Sequence, residues 1–281
     1  MAEAEAFGVK ATGCETLECL QELPRDKVLS VYARAYPMPV LDGIHVSMAP
    51  VDALSGGAFH RRARLLVSFT ADEHTLFDLP GLNAFPTREA AGKLLYLTFP
   101  QREADAIVAH YFDNATDAAA QARAGARLAG DMMLTCPIVY ALDALASHSV
   151  RPLYAAVFDH AVSYDLYEMS KGSGRAYARE MGAYHASDLP ALFGFGAHYA
   201  APDDDDRAVA TELTAAVAAF VCDRASPGTA SDGWHEYVPY DEATTIKRFA
   251  ASGDKAAPMG PLRARCAPIH AAVKAQLSGA P

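Results

Sequence analysis

Three short strand candidates, separated by long stretches with a helical period, most constrain the fold of this chain. They cover residues 64–69, 153–158 and 245–249. The first two are short apolar runs of the length of a buried strand, and polar residues follow each of them. Strands that alternate with helices predict an α/β fold with a mostly parallel sheet flanked by helices. Three strands are few for 281 residues, so we expect a complete sheet of this kind to contain further strands.

Helical patterns fill most of the remaining sequence. Apolar residues at helical spacing predict helices over about residues 15–23, 87–97, 103–112, 117–145, 207–224 and 262–277. Pro137 is expected to break the fourth of these helices. Residues 159–181 are expected to form a long, partly helical loop. The four acids at 203–206 are expected to lie in a solvated loop and to favour the N-terminus of the next helix.

The composition excludes several classes of protein. A hydrophobic share of 51% and a charged share of 21% indicate an ordinary globular chain. The net charge of −10 argues against a nucleic-acid partner. No uninterrupted apolar run reaches the ~18 residues of a membrane helix, so no membrane span is expected. The first ten residues are acidic and lack the features of a signal peptide.

Motifs for metals and cofactors are incomplete in this sequence. His235 and Glu236 begin a zinc-protease helix motif, but Pro239 stands where its second histidine must be. The five cysteines have no metal-binding spacing, and neither a phosphate-binding loop nor a complete dinucleotide motif occurs. We therefore expect no metal and no cofactor.

A serine nucleophile also cannot be assigned. The G-x-S-x-G elbow that exposes the serine of α/β-hydrolases does not occur in the sequence. Its nearest approach is Gly172-Ser173-Gly174, in which the spacing of the glycines is wrong.

Two segments carry candidate chemistry. Glu73 follows the first apolar run directly, and His185 lies in a polar segment after the second. Open α/β sheets place reactive groups beyond the carboxyl ends of strands. An acid followed by a histidine is the chain order of α/β-hydrolases. From the residues alone the choice stays open, because ten histidines and 34 acids offer many such pairs.

Six blocks of the sequence resemble the type B carboxylesterase, or cholinesterase-like, family in the order in which that family has them. They are the acid segment at 72–73, the histidine segment at 185–194, and the blocks at 19–24, 39–43, 130–137 and 234–237. The resemblance implies the C-terminal part of an α/β-hydrolase fold. It further implies that residues 1–281 form the C-terminal portion of one carboxylesterase domain, whose N-terminal part, with the nucleophile elbow, is absent here.

The sequence departs from the family pattern at three places. His74 stands where the acid motif has glycine, and His235 stands where the tryptophan motif has proline. Cys14 and Cys19 are closer together than the corresponding pair of the family, which leaves their pairing open. None of these differences affects Glu73 or His185.

The resemblance implies a carboxylic ester hydrolase with a Ser-Glu-His triad. His185 would be the general base and Glu73 the acid that orients it. Asp188, about one turn beyond the histidine, is either a supporting residue for it or a helix cap or surface ion pair. The resemblance also implies a disulfide between Cys136 and Cys266, and hence an oxidising, secretory-pathway compartment.

Three hypotheses of function follow. In the first, the chain is part of an active carboxylesterase that acts on a small-molecule ester, with the serine in an N-terminal half outside these residues. In the second, it is a non-catalytic adhesion or interaction protein of the same group. In the third, a complementing chain supplies the serine half of a split hydrolase. All three predict that the isolated chain has no esterase activity.

Overall fold

The computed structural model describes residues 9–35, 40–77, 85–164, 166, 174–195, 202–222, 234–241 and 243–277. The chain forms two compact units, Met1–Phe59 and His60–Pro281. The assignment of all 281 residues to one domain stays a prediction. Residues 39, 165, 167–173 and 223–224, which belong to predicted segments, lie outside the described residues.

The first unit is helical in its described part. It contains α1 (Leu17–Gln21), α2 (Arg25–Ala35) and α3 (Pro50–Gly56). Thr16 caps α1 by accepting a hydrogen bond from the backbone N–H of Cys19. Cys14 and Cys19 form a disulfide, so the pairing that the sequence left open is made. Among the described residues of this unit, Cys14 is the one buried apolar side chain.

The second unit is built on a mixed sheet. Its described strands are β1 (Leu65–Thr70), β2 (Leu153–Phe158), β3 (Thr245–Phe249) and β4 (Ala256–Pro258), in that spatial order. β1, β2 and β3 are parallel, and β4 is antiparallel to β3. The three predicted strands and the mostly parallel α/β fold are confirmed. The sequence did not predict β4, which has only three residues.

Helices flank this sheet. They are α4 (Arg88–Leu95), α5 (Gln101–Phe112), α6 (Ala118–Gly130), α7 (Cys136–Ser147), α8 (Gly174–Met181), α9 (Asp188–Phe193), α10 (Asp204–Val221) and α11 (Met259–Leu277). The acids at 203–206 do not lie in a loop. Asp203 is the N-cap of α10 and the next three acids form its first turn, where the helix dipole favours negative charge.

The central strand β2 separates two layers of the core. All six of its residues are buried. Leu153, Ala155 and Val157 pack in one apolar cluster, with residues of α4–α7 and α11. Tyr154, Ala156 and Phe158 pack in a second cluster, with residues of α8, α9 and α10. This alternation follows from the two-residue period of a strand, and it places helices on both faces of the sheet.

The predicted break at Pro137 is wrong. The helical path continues from α6 through one π-helical turn, Asp131–Thr135, into α7, where Pro137 occupies the first turn. Proline has no N–H to donate and clashes with the carbonyl four residues earlier. The π-helix is rare and occurs mostly as single-turn bulges inside α-helices, and here one such turn directly precedes the proline-containing turn.

The combined stretch Ala118–Ser147 is long and apolar enough, by length and composition alone, to cross a membrane. Charged residues such as Arg127 and Asp131 interrupt the stretch, so it is not a single apolar run. In this fold 56% of its 18 most apolar consecutive residues are buried. Leu128, Val139 and Leu142 of this stretch are core residues that pack beneath the sheet. The stretch therefore serves as a core element of the second unit.

A disulfide and an ion pair join α11 to the α6–α7 region. The sulfur atoms of Cys136 and Cys266 are 2.02 Å apart, and both residues are fully buried. The neighbouring Arg265 contacts Asp131 through two nitrogen atoms, at 2.9 and 3.0 Å. The disulfide implied by the resemblance is thus present between these two residues.

Candidate active site

The carboxylate of Glu73 lies just beyond the carboxyl end of β1. Its side chain is only 6% exposed. Oε1 accepts a hydrogen bond of 2.8 Å from the backbone N–H of Thr70, the last residue of the strand. This bond folds the chain back on itself immediately after β1, so the strand end determines where the carboxylate points.

The imidazole of His185 meets this carboxylate from a second loop. Gly182 ends α8 with φ of +71°, and His185 follows three residues later. The Nδ1 atom of His185 lies 2.7 Å from Oε2 of Glu73, across 112 residues of sequence. An ionised carboxylate only accepts hydrogen bonds, so Nδ1 donates. The ring is 41% exposed, and its Nε2 atom is the nitrogen that does not face Glu73.

Asp72, the first acid of the segment 72–73, had no predicted role of its own, and it connects the two loops. Its backbone N–H donates to the carbonyl of Ala183 at 3.0 Å, and its Oδ2 accepts from the N–H of Ala183 at 3.1 Å. Arg127 donates to its Oδ1 at 3.1 Å. A Cβ atom on Gly182 would lie 2.4 Å from Asp72 Oδ2, so the close approach requires glycine. The signal in the sequence was the acid doublet after a strand.

Two further contacts hold the acid turn in place. A Cβ atom on Gly130 would lie 3.4 Å from the Cβ of Glu73, so a small residue at the end of α6 allows the turn to pack there. The Oγ1 atom of Thr75 lies 2.8 Å from the carbonyl of Asp72 and 2.6 Å from that of Met181. Both loops therefore have several independent anchors.

Within the described part of the chain, no hydrogen bond joins Asp188 to the ring of His185. It is the first residue of α9, where its carboxylate faces the backbone N–H groups of that helix. Burial raises the pKa of Asp188, and the negative charge of Glu73 raises it further. Its link to the Glu73–His185 pair is electrostatic, and a supporting role stays a prediction.

A cavity of about 350 Å³ lies beside the acid turn. Its lining includes Asp72, Glu73, Arg123, Arg127 and Glu180. His185 is not part of this lining, so the cavity does not reach the Nε2 atom of the histidine ring.

The residue after the histidine has a strained backbone. Ala186 has φ of +64°, in the left-handed region that residues with a Cβ atom seldom adopt. The conformation costs roughly 1–2 kcal/mol. Ser187, the next residue, is fully buried. Tertiary contacts, and not the backbone preference of Ala186, therefore hold the turn that orients His185.

Replacing Ala186 by glycine is expected to raise the free energy of unfolding by about 0.5–1 kcal/mol, since relief of the left-handed strain exceeds the entropy that glycine costs. Denaturant unfolding followed by circular dichroism measures the change. The matched control is Ala183→Gly, three residues earlier, where φ is not positive; there glycine is expected to destabilise. Equal losses in both variants would contradict the assignment of strain to residue 186.

A mostly parallel sheet between two layers of helices, with an acid and a histidine on loops beyond the strand ends, defines an α/β-hydrolase type of fold. Comparison with known families specifies it further. The model of the carboxylesterase family matches residues 1–257, so the chain belongs to the carboxylesterase family. The family suggested by the six sequence blocks is confirmed.

A curated relative is the inactive carboxylesterase-like protein VdtD of Byssochlamys spectabilis. It is 24% identical over 309 aligned residues, which cover 91% of this chain and 49% of the relative. The chain thus spans about half the length of this curated relative. Membership of the family supports a hydrolase at a coarse level, whereas the relative is named as inactive.

Proposed function

We propose that the chain supplies the acid and the histidine of a carboxylic ester hydrolase with a Ser-Glu-His triad. The observation that carries the proposal is the 2.7 Å contact between Nδ1 of His185 and the buried carboxylate of Glu73. In triads of this kind, a buried acid holds the imidazole in the tautomer whose other nitrogen accepts a proton. The contact of Nδ1 of His185 with the buried carboxylate of Glu73 meets that requirement.

In the proposed mechanism, Nε2 of His185 takes the proton of a serine hydroxyl as the serine attacks the ester carbonyl. The resulting imidazolium is stabilised by Glu73, which stays ionised. His185 then gives the proton to the leaving alcohol. A water molecule then attacks the acyl-enzyme, with His185 again taking and returning the proton, and releases the carboxylic acid and the free serine. No cofactor or metal takes part in these steps.

The serine and the oxyanion-hole donors would come from outside the 281 residues. Within them no G-x-S-x-G sequence occurs, and such an elbow is needed to expose the nucleophile. A segment of the same polypeptide or a complementing chain would supply both. The substrate in either case is a small-molecule ester, whose acyl and alcohol groups these residues do not specify.

A non-catalytic role is the second candidate. The name of the relative VdtD, an inactive carboxylesterase-like protein, favours it, as does the lack of the elbow motif in this sequence. The intact contact between Glu73 and His185 favours catalysis. A protein that had lost its chemistry would have no need to keep a buried carboxylate paired with a half-exposed imidazole.

The isolated chain is expected to hydrolyse p-nitrophenyl acetate no faster than its His185→Ala variant, because it has an acid and a base but no serine in a nucleophile elbow. It is also expected to take no label from a fluorophosphonate probe, which reacts with activated serines. The assay compares the wild-type chain with His185→Ala. Labelling of a serine that disappears in His185→Ala would contradict the proposal, since it would reveal a complete site within these residues.

Addition of a polypeptide that carries the G-x-S-x-G half distinguishes the two candidates. The hydrolase proposal expects ester hydrolysis and fluorophosphonate labelling of the added serine to appear on mixing. The non-catalytic candidate expects association without either activity.

A further inference from the structure

A second buried carboxylate lies away from the Glu73–His185 pair. Asp206, in the first turn of α10, is 1% exposed. It lies 2.8 Å from Nε2 of His160, accepts the backbone N–H of Ser163 at 3.2 Å, and accepts that of Asp203 at 3.0 Å. The hydroxyl of Ser163 also donates to it. Asp206 therefore holds the loop after β2 against the start of α10.

The charge of this carboxylate is maintained at neutral pH. Burial alone would raise the pKa of Asp206, but hydrogen bonds from His160, Ser163 and the backbone of Asp203 lower it to about 2. The three side chains are not a second catalytic triad. The hydroxyl of Ser163 contacts the carboxylate and not the imidazole, and Ser163 has no exposed surface.

The next residue along the loop, Tyr164, connects this cluster to the histidine turn. Its hydroxyl donates to the carbonyl of Ser187, two residues after His185. Its own carbonyl accepts a hydrogen bond of 2.9 Å from the hydroxyl of Tyr184, the residue before His185. Tyr164 and Tyr184 are 1% and 0% exposed. The chain is thus tied to Tyr164 on both sides of the histidine.

We propose that Tyr164 is a positioning residue for His185, and that Asp206 keeps Tyr164 in place through Ser163. The inference rests on the proposed role of His185 as the general base. Ala186, between the histidine and Ser187, has a left-handed backbone that it would not adopt by preference. The turn is closed by the bond from the backbone N–H of Ser187 to the carbonyl of Tyr184, at 2.9 Å. The bond from Tyr164 to the Ser187 carbonyl holds this closed turn in place, and the turn keeps Nδ1 of His185 on Glu73.

The test observes the proton between His185 and Glu73 directly, by nuclear magnetic resonance of the 281-residue chain labelled with nitrogen-15 at histidine. The wild-type chain is expected to show a low-field, slowly exchanging ring proton that His185→Ala removes. In Tyr164→Phe the ring is kept, along with its packing 5.3 Å from Phe195, but the hydroxyl is lost. Solvent exchange of the ring proton is then expected to be about tenfold faster, as for the loss of one buried hydrogen bond.

Tyr237→Phe is the matched control. Tyr237 is equally buried and its hydroxyl donates to Asp143 at 2.9 Å; within the described residues its hydroxyl forms no hydrogen bond to residues 184–187. This variant is expected to leave the ring proton of His185 unchanged. Addition of Ala186→Gly to Tyr164→Phe is expected to restore slow exchange, because glycine adopts the left-handed turn without help.

The outcomes separate the two ideas. A wild-type chain without the low-field proton would contradict the pairing on which the proposed function rests. A wild-type signal that Tyr164→Phe leaves unchanged would overturn the positioning role alone. The same would follow if Tyr237→Phe accelerated exchange as much as Tyr164→Phe, since the effect would then be a general loosening of the fold.

Discussion

Replacing Glu73 by glutamine is expected to lower kcat about 10⁴-fold in the esterase assembled from this chain and the segment that carries the serine. The amide keeps the size of the side chain, but it no longer stabilises an imidazolium and no longer fixes which ring nitrogen bears the proton. Loss of the orienting acid has an effect of this size in other triads. His185→Ala is expected to lower kcat at least as much, and the hydrolysis of a p-nitrophenyl ester measures both.

The double variant gives the sharper result. Glu73 acts only through His185 in the proposed mechanism, so Glu73→Gln is expected to have no further effect when His185 is already alanine. Glu236→Gln is the control, because Glu236 forms a partly exposed ion pair with Arg151 elsewhere on the second unit. Activity above a tenth of wild type in Glu73→Gln would remove the orienting role from this residue.

Replacing both Cys136 and Cys266 by alanine is expected to lower the free energy of unfolding by about 5 kcal/mol. The disulfide closes a loop with a sequence separation of 130 residues, and in the chain-entropy model a longer loop gives a larger stabilisation. Denaturant unfolding under non-reducing conditions measures the difference. The same bridge favours an oxidising compartment for the native protein.

The second disulfide provides the comparison. Cys14 and Cys19 are separated by only five residues, so their double replacement is expected to cost about 2 kcal/mol, within the first unit. Titration of the denatured, unreduced chain is expected to find one thiol, that of the exposed Cys222. Three titratable thiols would show that one of the two bridges is not formed, and equal stability losses in both double variants would contradict the loop-length argument.

The parts of the fold that local pattern determines could be predicted from the sequence. β1 and β2 are short, mostly apolar runs and β3 is a short candidate strand, and the structure places all three within one residue of the expected positions. β4 is Ala-Ala-Pro and has no pattern of its own. It is a strand because the edge of β3 offers it a hydrogen-bonding partner, which is a property of the folded chain.

In the candidate site, too, some residues could be predicted from the sequence and others are determined only by the tertiary fold. The resemblance selected Glu73 and His185, which chain order alone could not do among so many acids and histidines. Within the run of four acids, nothing local marks Asp206 as the buried one. Its partners His160 and Ser163 are 46 and 43 residues away, so only the tertiary fold identifies it. The left-handed backbone of Ala186 likewise leaves no sign in the sequence.

Asp206 belongs to the cap of α10 and also anchors the loop after β2. These two roles limit which substitutions this sequence can accept during evolution. A change at position 206 leaves donors unmatched on two elements at once, and a change at 160 or 163 leaves a buried charge with too few partners. Single steps are therefore costly at all three positions. Substitutions there are expected to be inherited as correlated sets, which makes the trio a marker for grouping relatives by descent.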